Sequence, residues 1–107
     1  MRSPEHGRSL KLLASLYGSG KLSDRTGGRN YGAVAYELHS YSDRFSHSDN
    51  GWIEGEAHML RQAFRAGPAR IALADGQIVD VVLDDPRGHS IVEIKVKGDF
   101  PARDHDA

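Results

Sequence analysis

The fourteen residues from His39 to Trp52, HSYSDRFSHSDNGW, concentrate groups that could do chemistry: two imidazoles, two carboxylates and four serine hydroxyls. His39, Asp43, His47 and Asp49 offer the nitrogen and oxygen donors that suit zinc, nickel or non-haem iron. The spacings, H-x3-D and H-x-D, are not those of a diagnostic metal motif. Ser40, Ser42, Ser46, Ser48 and the run Asp49-Asn50-Gly51 are loop and turn formers. The expectation is a mobile polar loop with no resident cofactor. His39, His47 and Asp49 are the ligands a metal would use, and His39 is the best placed because it extends from a strand.

Glu54 and His58 are four residues apart, the spacing that shares a helical face if a helix begins early. In a pocket such a pair could do acid–base work. No nucleophilic serine motif accompanies it, and the expected reading is a solvated helix surface. Tyr36 and Trp52 are the candidate ligand-binding aromatics, although Trp52-Ile53 also reads as an anchor that ties the loop end to the core. Gly18-Ser19-Gly20-Lys21 lacks the earlier glycine and the following Ser or Thr of a phosphate loop, and reads as a turn. Lys21, Arg25, Arg29 and Arg44, with Tyr31, Tyr41 and Phe45, mix cations and rings as single-strand-binding barrels do. Asp24, Asp43 and Asp49 dilute any positive field there.

Whole-chain charge points the same way. Fourteen basic against fifteen acidic side chains leave a formal net charge of −1, so a chain built to ride on a nucleic-acid backbone is not expected. With no cysteine, disulfides, thiolate metal sites and a cysteine nucleophile are excluded. The N-terminal MRSPEHGR has no apolar core of the kind a secretory signal needs, and no apolar run approaches the ~18 residues of a membrane span. A soluble, cytoplasmic protein is the default expectation.

These groups must be positioned by a single domain, since 107 residues is one domain's worth. Residues 1–8 and 101–107 are polar and read as mobile termini around a domain spanning 9–100. ARIALADGQIVDVVL reads as a hairpin. With a three-residue Ala74-Asp75-Gly76 loop, Leu73 opposes Gln77, and Ile71, Leu73, Val79, Val81 and Leu83 share one face. Arg70 then opposes Asp80. After a turn at Asp84-Asp85-Pro86-Arg87-Gly88, the strand SIVEIKVKG turns Val92, Ile94 and Val96 inward, completing a three-stranded meander.

Upstream, GAVAYELHSYS is a strand with Val34, Tyr36 and Leu38 on one face. Residues 10–17 fit a strand or a helical stripe, and Gly18-Ser19-Gly20, read as a hairpin turn, tips the choice to strand. Met59, Leu60, Ala63 and Phe64 form the apolar face of one short helix at about 56–66, stopped by Gly67-Pro68. The sum is a mainly β (α+β) fold: a small antiparallel curled sheet or partly open β-barrel of about five to six strands with one helix. The run Gly-Trp-Ile-Glu-Gly, helix, apolar strand, Asp-Gly, apolar strand is similar in pattern to small bacterial barrel domains, a likeness that implies no activity.

A well-patterned scaffold without a matched catalytic set is expected to be non-enzymatic: an interaction or accessory module that self-associates, or binds a protein partner, through an uncovered strand edge. A small-molecule or metal-binding barrel using the 39–52 stretch is the alternative, and an acid–base enzyme around Glu54 and His58 comes third.

Overall fold

The computed structural model describes residues 11–43 and 45–101. The expectations for residues 1–8, Leu10, Arg44 and 102–107 lie outside the described residues. The chain forms β1 (Lys11–Asp24), β2 (Asn30–Ser42), β3 (His47–Glu54), α1 (Ala57–Ala66), β4 (Ala69–Ala72), β5 (Ile78–Leu83) and β6 (Ile91–Lys97). The six strands close into a barrel in the order β1-β2-β3-β6-β5-β4, every neighbour antiparallel. The mainly β barrel with one short helix is the architecture the alternating apolar pattern requires.

Side-chain alternation fills the interior. Leu22, Leu38, Ile53, Ile71, Val81 and Ile94 are essentially inaccessible to solvent, and they come from all six strands, as a closed small barrel demands. The β4–β5 hairpin has the register its parity predicts. Leu73 donates its backbone N–H to Gln77 O at 2.8 Å, Gly76 takes φ +94°, and Arg70 faces Asp80. The Arg70 Nε lies 3.7 Å from Asp80 Oδ1, a loose ion pair. Ile71, Leu73, Val79, Val81 and Leu83 are all buried on one face, and β6 buries Val92, Ile94 and Val96 beside them.

Two expectations are corrected upstream. Gly18-Ser19-Gly20 is not a turn: β1 runs straight through it as a fourteen-residue strand, and the turn falls at Arg25–Arg29. These glycines answer to close approach rather than to turning. A Cβ on Gly18 would lie 2.5 Å from the Tyr36 hydroxyl, and one on Gly20 would collide with the Ala72 carbonyl. Only glycine lets β1 run this close to Tyr36 and β4. The 39–52 stretch is likewise not a mobile loop. β2 continues to Ser42, β3 starts at His47, and Asp43–Ser46 is the whole connection. Asp43 Oδ1 accepts from the Phe45 and Ser46 amides at 2.7 Å each, which closes that turn locally. Serine content signalled turn, but two long cross-strand partners made ladder of it.

The helix begins one residue later than the pattern suggests, because Glu56 is its N-cap. The Glu56 carboxylate accepts from His58 N and Met59 N, and Gly67 ends the helix. Met59, Leu60 and Ala63 are buried, whereas Phe64 is 36% exposed at the margin of the packed face. The helix packs against β1, β2 and β5. At the C-terminal end, Phe100 packs on the core and Pro101 is buried, so the ordered body reaches the residue expected to open the tail.

The β1–β2 turn is built on Asp24. Its Oδ1 accepts from Thr26 Oγ1 at 3.0 Å and from the Thr26 and Gly28 amides. The Thr26 hydroxyl, aided by these amides, holds the Asp24 carboxyl below its ordinary value of 3.8. A carboxyl depressed in the folded state stabilises above its unfolded value and loses that contribution as pH falls through the folded one. Carboxyl-detected NMR is therefore expected to give Asp24 a midpoint below 3.8, with the Thr26 and Gly28 amides shifting in step. An Asp24 midpoint at or above the ordinary value would contradict this turn geometry.

Candidate functional site

Parity across the β2–β3 hairpin sorts the sequence-predicted residues onto two faces. Tyr36 pairs with Ile53, Leu38 with Gly51, Ser40 with Asp49 and Ser42 with His47, all on the inward face. Glu37 pairs with Trp52, His39 with Asn50 and Tyr41 with Ser48, all on the outward face. His39 and His47 therefore point to opposite sides of the same hairpin. Their sequence proximity cannot become a shared metal site without a one-residue slip, which would also expose Leu38 and Ile53.

Each histidine also has its own partners. On the inward face, Asp49 Oδ1 accepts from Ser40 Oγ at 2.6 Å and meets His47 Nε2 at 2.8 Å. Ser40 and the Asp49 side chain are buried, while His47 is largely exposed. On the outward face, His39 Nδ1 lies 2.9 Å from Ser15 Oγ and its Nε2 lies 2.9 Å from Glu37 Oε2. With both ring nitrogens engaged, His39 presents no free lone pair. Among the described residues, no group of three or more histidine or acidic side chains is placed to hold a metal ion.

Ser15 is the residue that sequence reading missed. It pairs directly with His39 across β1 and β2, a contact set by register between strands 24 positions apart in sequence. Hydroxyl, imidazole and carboxylate in a line is the order of a nucleophilic relay. Acyl transfer would further need amide donors aimed at a substrate oxygen. Ser15 instead lies in mid-strand, and the Tyr17, Tyr41 and Trp52 rings surround the imidazole, their centroids 6.2, 5.9 and 5.6 Å from it. The imidazole is left 11% exposed. The arrangement pins His39 as a rigid post against which Trp52 rests.

Trp52 corrects another expectation. It does not anchor the core: Ile53 does, fully buried, while Trp52 is 40% exposed on the outer face. Adjacent strand residues point to opposite sides, so only one of the pair could enter the barrel. Trp52 lines a cleft of about 620 Å³ with Asn50, Val82, Asp84, Glu93 and Lys95. Tyr36, the other candidate aromatic, is buried, and its hydroxyl accepts from the Ala74 amide at 3.1 Å.

Glu54 and His58 do not share a helical face. Glu54 ends β3, and the helix starts after the Glu56 cap, so the i,i+4 geometry never forms. His58 Nε2 instead lies 3.4 Å from Gln62 Nε2. The basic and aromatic residues are dispersed too. Arg29 covers Tyr31 at 5.5 Å, whereas Tyr41 packs on His39. Ten residues of extended chain separate Tyr31 from Tyr41, roughly 33 Å at strand rise.

No protein-family model, curated protein or solved structure matches this chain. Among the described residues, no helix is long and apolar enough to cross a membrane.

Proposed function

We propose that this barrel is a non-enzymatic interaction module that pairs with a second copy of itself through the free edge of β1. The observation that carries the reading is the unequal pairing of that strand. β1 pairs with β2 along nearly its whole length but meets β4 only from Lys21 to Asp24. Among the described residues, Lys11–Ser19 therefore has a strand neighbour on one side alone.

Proteins ordinarily guard such an edge with charge, proline or short length. Here the nine residues LLASLYGSG, Leu12 to Gly20, contain no charge and no proline. Leu12, Leu13 and Tyr17 are half-exposed or more along it. A bulge between Leu12 and Ala14 twists the start of the strand, but from Ala14 to Leu22 its register against β2 is unbroken. A second copy is the fitting partner because a two-fold axis places an uncharged strand against itself with no like charges opposed.

Sedimentation velocity over a wide concentration range tests this. The expected result is a reversible dimer, weakened at least about tenfold by Leu13→Lys and by Tyr17→Lys, each adding a charge to the edge. A monomer at every concentration, or a dimer indifferent to both lysines, would overturn it.

A further inference from the structure

The cleft beside Trp52 lies on a different part of the surface from the β1 edge, and its chemistry is distinct. Its walls are laid out by register. Trp52 of β3 faces Glu93 of β6, and Asp84, just beyond β5, donates its backbone N–H to Glu93 O at 2.9 Å. Asn50 faces Lys95, which in turn faces Val82. Two parallel rows result: an indole with two carboxylates, and an amide with an ammonium and an isopropyl group. With strands about 4.8 Å apart, each row spans roughly 10 Å. The cavity, about 620 Å³, has the size of a small-molecule site.

Asn50 apart, whose Nδ2 donates to Ser48 Oγ at 2.9 Å, the polar side chains of this cleft are free to bind. Among the described residues, the side chains of Asp84, Glu93 and Lys95 make no hydrogen bond or ion pair. The carboxylates of Asp24, Asp49, Asp75 and Asp85, by contrast, are each held by neighbours. The platform is also rigid from behind, because Trp52 rests on His39, itself fixed by Ser15 and Glu37.

We infer that this cleft binds a neutral sugar ring, its C–H face stacked on Trp52 and its hydroxyls bonded to Asp84, Glu93, Lys95 and Asn50. Hydroxyls both donate and accept, so they satisfy carboxylates, an ammonium and an amide at once. The indole face takes the apolar side of the ring. A phosphate-bearing ligand would meet two carboxylates for one ammonium, which disfavours nucleotides and nucleic acid.

Trp52 is the chain's only tryptophan, so its fluorescence reports on this site directly. The probes are glucose, galactose, mannose, N-acetylglucosamine and their disaccharides, with choline as a cationic competitor. At least one sugar is expected to give a saturable change with a dissociation constant on the order of 1 mM, insensitive to salt. Glu93→Gln and Asp84→Asn, checked for folding by circular dichroism, are each expected to weaken it at least about fivefold. Because these side chains are on the surface, folded variants are expected. An absence of saturable response to any sugar up to about 100 mM, full binding in both variants, or a salt-sensitive response to choline alone would each overturn the inference.

Discussion

Gly51→Ala is expected to destabilise the barrel by about 3 kcal/mol or more, the upper end of what overpacking costs. Gly51 faces Leu38 across β2 and β3. A Cβ built on it would run into the Glu37 carbonyl, and it would sit 2.9 Å from Leu38 Cα. Both obstacles are backbone, so no rotamer change relieves them. The strands would have to separate, and the pairs that set Trp52 against Glu37 and Asn50 against His39 would shift with them. Urea denaturation followed by circular dichroism measures the cost. Gly76→Ala supplies the contrast: its φ of +94° strains any side chain, but no atom lies within 4 Å of the added Cβ. About 1–2 kcal/mol is expected there. If the Gly51 variant lost no more than the Gly76 variant, β2 and β3 could not approach as closely as described.

Leu60→Ala carries the second large effect. Leu60 is fully buried and, with Met59 and Ala63, forms the whole buried surface of α1. Truncating a fully buried leucine removes transfer free energy and leaves a cavity, together about 2–5 kcal/mol. For a domain of this size that lowers Tm by roughly 10–30 °C. Phe64→Ala, at a side chain 36% exposed, is expected to cost under about 1.5 kcal/mol, since less of its surface leaves water. The pair of variants separates burial from helix propensity, because alanine favours the helix in both. Equal losses would mean that α1 is held through Phe64 rather than Leu60.

Legibility in the sequence followed the range of the interaction. Arg70 to Leu83 carried its own register, because parity, a glycine at the left-handed loop position and one charge pair all act within a hairpin. The alternation of Val92, Ile94 and Val96 and the Gly67-Pro68 stop were equally local. Composition misled where a distant partner decided the outcome. Ser40 and Ser42 look like loop residues, yet they are strand because β1 and β3 supply ladders on either side of β2, and Ser48 is strand because it pairs with Tyr41 of β2. Gly18 and Gly20 look like a turn, yet they serve a close approach to Tyr36 and Ala72 from elsewhere in the chain.

The candidate site divides along the same line. That Trp52 or Ile53, but not both, faces outward follows from strand alternation alone, as does the placement of His39 and His47 on opposite faces once both flanks are strand. The sequence by itself thus determined the strand faces, the helix and the absence of thiol chemistry. Tertiary structure alone decided that Ser15 meets His39, that β1 closes on β4 over four residues and, among the described residues, has no second strand beside its other end, and that Trp52 shares a cleft with Asp84, Glu93 and Lys95. Each of those contacts joins strands distant in the chain, so no local pattern encodes it. Barrel closure and strand register set them together.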